Sequence, residues 1–301
     1  MKMRAMVFAA VAAGCGAGGA TTPFDGEAAF RYVEAQVAFG PRVPGTEGHR
    51  LTGDWIVAHL RHTADSVEVQ AWDHVTLTGD TLPLRNFIGR FRPDAAERIL
   101  LLAHWDTRPR ADAEANLAAQ RTPIPGANDG GSGVAVLLGV ADVLAATPPA
   151  VGVDLLFVDG EDYGVDFSGP DNLIGSRYYA TNLPRERFPL FAVLFDMVGD
   201  ADLRIYQEGY SVDGAPEVVT RVWSVARELG YGDYFVDRVA YSLTDDHLPL
   251  QEVGVRAIDV IDFHYGAPDR NRYWHTLEDT PDKVSARSLK IVGDVAVRLV
   301  M

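Results

Sequence analysis

Most residues in this chain that could do chemistry directly follow a short apolar run. His104-Trp105-Asp106 follows Ile99-Leu100-Leu101-Leu102-Ala103, Asp159-Gly160-Glu161-Asp162 follows 153–158, and Asp196-Met197-Val198-Gly199 follows 191–195. A fourth run, 257–261, leads into a loop holding Tyr273-Trp274-His275-Thr276, and Gly126-Ala127-Asn128-Asp129 precedes a helical stretch. Each has an ordinary explanation when taken alone. An Asp before a helix is usually an N-cap, an Asp after a strand a turn residue, and a Glu-Asp pair a solvated charge. Taken together, carboxylates crowded on one edge repel each other unless a cation or protons compensate. Three mixed oxygen and nitrogen ligands with an open fourth position form a catalytic zinc arrangement. Asp129, one of Glu161 and Asp162, and His275 supply such a set. The other acid of the pair is then placed for general acid/base work at the metal. Gly130-Gly131-Ser132-Gly133 does not read as a phosphate loop, because no Lys follows it.

The elements that must position these residues can be read from the same runs. Residues 99–103 form a short continuous apolar run, expected of a strand buried on both faces, and 153–158, 191–195 and 257–261 read as further buried strands, with Asp154 and Asp259 the polar positions among them. Ser66–Leu77 reads as a strand with Asn86–Phe91 as its partner. Helical spacing covers 25–38, with Asp25 as N-cap and Phe30, Val33 and Val37 on one face, then 51–60, 134–144, 217–229 and 285–300. Strands alternating with helices predict an α/β fold: three layers, α/β/α, around a mostly parallel mixed sheet. In such sheets ligands bind beyond the carboxyl ends of the strands, where the acids and imidazoles fall. No linker divides the chain, so 24–301 is expected to be one catalytic domain.

Composition narrows the chemistry further. The chain has 301 residues, 47% hydrophobic, with a formal net charge of −15 and a single Cys. That is too apolar for a disordered chain, and the acidity with no basic cluster argues against nucleic acid as a partner. One Cys excludes an intrachain disulfide and thiolate metal sites, so any transition metal must be held by His and carboxylate.

The ordered series His104-Trp105-Asp106, Gly126-Ala127-Asn128-Asp129, Asp159-Gly160-Glu161-Asp162, Asp196-Met197-Val198-Gly199, Asp245-Asp246-His247 and Trp274-His275-Thr276 resembles the M28 zinc-aminopeptidase-like superfamily. Within it the chain is most similar to the glutaminyl-peptide cyclotransferases, from about Phe24 to the C-terminus. The resemblance implies a zinc-exopeptidase-like fold and one zinc held by Asp129, Asp162 and His275, with Glu161 as general acid/base. It implies a carboxylate relay of Asp196 and Asp245, a pocket lined by Trp274 and Phe167, and peptide or protein N-termini as substrates. The reaction would cyclise N-terminal Gln to pyroglutamate with release of ammonia. The competing expectation is a two-zinc aminopeptidase, in which His104 and Asp196 also bind metal and Asp129 bridges. Intact ligands argue against a non-enzymatic binding module. The chain departs from the animal cyclases at Asp162, where they carry Glu, at Phe167, where they carry Trp, and at Asp259, where they carry a His.

Residues 1–20 read as a secretory signal: Lys2 and Arg4 precede a short apolar run and small residues. Ala12-Ala13-Gly14-Cys15 resembles a lipoprotein cleavage box, which would place the only Cys where lipidation needs it; an ordinary cut near Ala20 is the alternative. The expectation is export, with the protein periplasmic or lipid-anchored at the cell envelope, and membrane contact only through Cys15.

Overall fold

A computed structural model describes residues 22–165, 169–266 and 271–301. The leader with Cys15, and Phe167, lie outside the described residues. A six-stranded sheet is built from β1 (Ser66–Val75), β2 (Thr81–Phe91), β3 (Arg98–His104), β4 (Gly152–Val158), β5 (Ala192–Asp196) and β8 (Ala257–Ile261), in the order β1-β2-β4-β3-β5-β8. β3, β4, β5 and β8 are mutually parallel, whereas β2 runs antiparallel to both β1 and β4. The sheet is thus mixed and mostly parallel at its centre. A second, two-stranded parallel sheet pairs β6 (Ile205–Glu208) with β7 (Phe235–Tyr241).

The continuous apolar runs follow from burial on two faces. Successive side chains of a strand point to opposite sides, so both sides must be apolar when both are covered. Leu101, Ala103, Leu155, Phe157, Val193, Phe195, Ile258 and Val260 enter one core. That core also takes side chains from α1 (Gly26–Ala38), α2 (Glu47–Thr63), α3 (Gly131–Ala146), α6 (Pro216–Glu228) and α8 (Ala286–Val300). Leu100, Leu102, Leu156, Val158, Leu194 and Ala257 enter the other, against Tyr179 of α4 (Ile174–Thr181) and Leu250 of α7 (His247–Glu252). The short α5 (Gly209–Gly214) lies between β6 and α6 in the chain.

Sequence expectation and structure agree on the long elements and differ at their ends. Asp25 does cap α1, its side chain accepting from the Ala28 amide, and Ser285 caps α8 through the Ser288 amide. The helix expected over 51–60 extends to 47–63, because Thr46 caps it from upstream by accepting from the His49 amide. β2 begins at Thr81 rather than Asn86: its first half is an outer stretch on which buried and exposed residues alternate. β6, β7, α4, α5 and α7 were not anticipated; they are short, and β7 is largely exposed. Among the described residues no helix is long and apolar enough to cross a membrane.

β3 lies between β4 and β5, so the chain leaves β3 toward one side of the sheet and, after β4, crosses to the other. That reversal is the position at which open α/β sheets form a crevice beyond the strand C-termini.

Candidate active site

Four strand ends deliver side chains to this crevice. His104 is the last residue of β3, Asp196 the last of β5, Glu161 and Asp162 follow β4, and His275 stands on the segment after β8. Asp129 comes from the turn before α3. It does not act as that helix's cap: Gly130 occupies the cap position and no side chain bonds the helix start. Gly130 is required there. Its φ is +73°, and a Cβ would stand 2.8 Å from the Asp106 carbonyl oxygen and 2.9 Å from His104 Cε1.

Two overlapping triads result, Asp129–Asp162–His275 and His104–Asp129–Asp196; in each, one potential ligand atom per residue lies within 4.8 Å of the others. All five side chains are buried. In the first triad His275 Nε2 is 3.6 Å from Asp129 Oδ2 and 3.4 Å from Asp162 Oδ1. Asp129 Oδ2 and Asp162 Oδ2 are buried with no hydrogen-bond donor. A buried carboxylate oxygen without a donor is costly, and a cation between these atoms removes that cost. One nitrogen and two oxygen donors, with no thiolate, suit a borderline divalent ion such as zinc. In the second triad His104 Nε2 sits 3.1 Å from Asp196 Oδ1 and 3.3 Å from Asp129 Oδ1, with Nδ1 3.6 Å from Asp106 Oδ1.

The triads are held by residues that sequence reasoning assigned no role. Asp106 accepts from the backbone amides of Glu161 (3.0 Å) and Asp162 (3.2 Å) and so fixes that turn. Asp279 accepts from the Asn128 and Asp129 amides at 2.8 and 3.2 Å and from the Tyr265 hydroxyl. The Arg42 guanidinium, fully buried, donates to the carbonyls of Trp105, Pro125, Gly126 and Asp129; burial lowers it to about 10. Arg108 donates to Asp162 Oδ1 at 2.6 Å and to both oxygens of Asp112. Asp112 Oδ1 in turn lies 3.1 Å from His275 Nδ1, which leaves Nε2 to face the carboxylates. Asp106, Arg108 and Asp112 lie on the segment that follows His104, and Asp279 follows His275, whereas Arg42 reaches the site from a distant segment.

Asp112 therefore orients a ligand from the rear, the usual arrangement for metal-binding histidines. Replacing it with Asn is expected to weaken metal affinity about ten- to hundredfold, while turnover at saturating metal stays near that of the parent. A competition titration with a chelating dye measures this, and unchanged affinity would remove Asp112 from the support of His275.

The electrostatics separate the acids. Burial opposes ionisation of Glu161, Asp162 adds to this, and Asp245 and Asp246 contribute further, so Glu161 stands well above the usual carboxylate range. Burial also opposes the charge on Asp162, but His275 and Arg108 outweigh it and hold Asp162 below that range. The adjacent acids thus diverge, one toward accepting and donating protons and the other toward permanent charge. Burial and then Asp162 raise Asp129. Asp196 and Asp245, expected as a relay, both line the crevice. Asp196 accepts from His104, while Asp245 accepts from the Asp246 amide. The two acids interact through charge, and after burial Asp196 is the main cause that raises Asp245.

The crevice opens as a pocket of about 190 Å³ lined by both triad acids, Glu161, Asp196, Asp245, Met197, Leu243, Ile261, Phe263, Trp274 and His275. It falls below the volume of drug-sized sites, about 300 Å³ and upward, and suits a single residue. Trp274 forms a wall and stacks on His275, with centroids 3.7 Å apart and planes at 21°. Phe263 meets Trp274 edge-on at 5.3 Å. Met197 and His275 both have left-handed backbones, with φ of +49° and +55°. Such strain in residues other than Gly collects where function fixes the geometry.

Fold and site together define the class of α/β proteins that carry a histidine–carboxylate cluster able to hold a metal ion at the C-terminal edge of a central parallel sheet. The model of Peptidase family M28 matches residues 86–300, and the chain belongs to that family. Among similar solved structures are the glutaminyl cyclase of Tannerella forsythia (38% identical, covering 93% of this chain and 99% of that one, TM-score 0.88) and a leucine aminopeptidase precursor of Bacteroides thetaiotaomicron (37%, 93% and 98%, TM-score 0.87). The glutaminyl-peptide cyclotransferase of Drosophila melanogaster is 26% identical over 265 residues, 79% of this chain and 70% of its own length.

Proposed function

We propose that this protein is a zinc-dependent glutaminyl-peptide cyclotransferase, converting N-terminal glutaminyl residues to pyroglutamate with release of ammonia. The observation that carries the reading is the pocket. It is sized for one residue, walled by Trp274, and places Glu161 beside the Asp129–Asp162–His275 triad. The likeness to the T. forsythia cyclase over nearly the whole chain supports it.

In this reading Asp129, Asp162 and His275 hold one zinc. The chemistry zinc supplies when bound is polarisation of the side-chain carbonyl and stabilisation of the charge that develops on its oxygen. The remaining work belongs to the chain. The substrate's first residue enters the pocket beside Trp274. Its α-amine attacks its own side-chain amide carbon, forming the ring C–N bond as the bond to the amide nitrogen breaks. Glu161 takes a proton from the attacking amine and returns it to the leaving nitrogen, which departs as ammonia. A carboxyl raised well above its ordinary range suits both transfers. Asp196 and Asp245, which also line the pocket, are placed to accept hydrogen bonds from the amine and hold it in place.

A second reading rests on one observation: Asp129 belongs to both triads, the arrangement a two-metal aminopeptidase uses. Incubation with a Gln-initiated dipeptide, following ammonia against free amino acid, separates the two. Ammonia without free amino acid is the expected result. Free amino acid, with close to two zinc per chain, would overturn the cyclase reading.

A further inference from the structure

Arg108 is a buried cation for which the mechanism above has no use. It lies on the segment between β3 and α3 and is 1% exposed. Its guanidinium joins two acids. Nε stands 3.0 and 2.9 Å from the two oxygens of Asp112, and Nη2 donates to Asp112 Oδ2 at 2.6 Å. Nη1 donates to Asp162 Oδ1 at 2.6 Å and to the Asp162 carbonyl at 3.3 Å. Asp162 is a proposed ligand, and Asp112 lies against Nδ1 of the ligand His275 at 3.1 Å. One cation thus fixes two of the three ligands, Asp162 directly and His275 through Asp112. A guanidinium can do this because its donors form one rigid planar fork, whereas an ammonium is a single point.

The fork makes the two oxygens of Asp162 unlike. Oδ1, which also lies 3.4 Å from His275 Nε2, takes the short charge-assisted bond from Nη1. Oδ2 is buried and meets no donor among the described residues. The backbone of Asp162 is held as well, its amide by Asp106 and its carbonyl by Arg108. Turning Oδ1 onto a metal as well would break the bond to Arg108 and leave a buried guanidinium donor unpaired. A carboxylate that binds through both oxygens fills two positions on the metal. One that binds through a single oxygen leaves, beside Asp129 and His275, the open position that a catalytic zinc needs.

We propose that Arg108 is a positioning residue that confines Asp162 to one metal-facing oxygen, Oδ2, and so keeps a coordination position open for the substrate. The placement of zinc on Asp129, Asp162 and His275 rests on the function proposed above.

The test replaces zinc with one equivalent of cobalt(II), whose visible absorption is strong when it is four-coordinate and weak when it has more ligands. It compares the parent with Arg108→Met, which keeps an unbranched stem and removes the fork. The parent is expected to absorb strongly, with three protein ligands and one solvent. Arg108→Met is expected to absorb weakly, because Asp162 is then able to bind through both oxygens. Strong absorption in the variant, or weak absorption in the parent, overturns the proposal. The band should vanish in His275→Ala; a band that persists there places the metal elsewhere and also overturns it. If Arg108→Met fails to fold, as judged by its melting curve, Arg108→Met combined with Asp112→Asn takes its place, removing the cation together with one of the charges it balances. The same two outcomes then decide. None of these spectra involves turnover. Release of free amino acid by the parent would therefore sink the cyclase reading while leaving the coordination by Asp162 to be judged separately.

Discussion

Glu161→Gln is expected to lower kcat by about 10²- to 10⁴-fold, the usual worth of a positioned general acid/base, while leaving zinc content unchanged. Gln matches Glu in shape and still fills the wall of the pocket, but it cannot take a proton from an attacking amine. The metal should remain because Glu161 is in neither ligand triad; its closest approach to an imidazole is 3.9 Å, from Oε2 to His104 Nδ1. Asp129, Asp162 and His275 are untouched by the change, so metal affinity should hold. Substrate affinity should change little, since the pocket's apolar wall is intact. Parallel steady-state kinetics and metal analysis check this. Turnover within tenfold of the parent would remove Glu161 from proton transfer, and loss of zinc would make it a ligand.

His275→Ala is expected to lose metal and activity together, with a drop in metal affinity exceeding the roughly ten- to hundredfold of an outer partner such as Asp112. His275 is the only nitrogen donor of the first triad. Without it Asp129 and Asp162 lose the imidazole between them, leaving Asp162 to Arg108 and Asp129 to His104, and Asp112 loses its contact with His275 Nδ1. Trp274 also loses the ring against which it stacks, so the pocket wall loosens. The backbone at this position is left-handed, a conformation that Gly accepts and Ala does not. His275→Gly is therefore the companion variant: it deletes the ligand without retaining the strain. Both should contain little zinc after dialysis. Either variant binding zinc as tightly as the parent would mean that another residue supplies the nitrogen.

The central part of the fold was legible because its physics is local. A strand covered on both faces is apolar at almost every position: Ile99–Ala103 is so throughout, and 153–158 is so except for Asp154, which is paired with Arg98. Helices α1 and α8 carry their own caps in Asp25 and Ser285. β6 and β7 were not legible, because four residues and a largely exposed strand carry no distinctive period. The same division runs through the site. His104, Asp129, Asp162 and Asp196 sit at or just after a strand end or before a helix, so element prediction located them, whereas His275 lies in the loop well past β8. The supports do not follow that rule. Asp279 reaches Asn128 across 151 positions and Arg42 reaches Gly126 across 84, and no spacing in the sequence announces such pairings. Asp259 reads locally as one polar residue in an apolar strand.

Arg42 also bears on what counts as a working unit. The family match begins at residue 86, yet the guanidinium that gathers the carbonyls around Asp129 comes from a segment well before it. That cation is threaded into the ligand loop from outside the matched stretch. Residues 86–300 would retain every proposed ligand and still lack the clasp that shapes their loop. The boundary of the family match and the boundary of a self-sufficient catalyst are therefore different lines in this molecule.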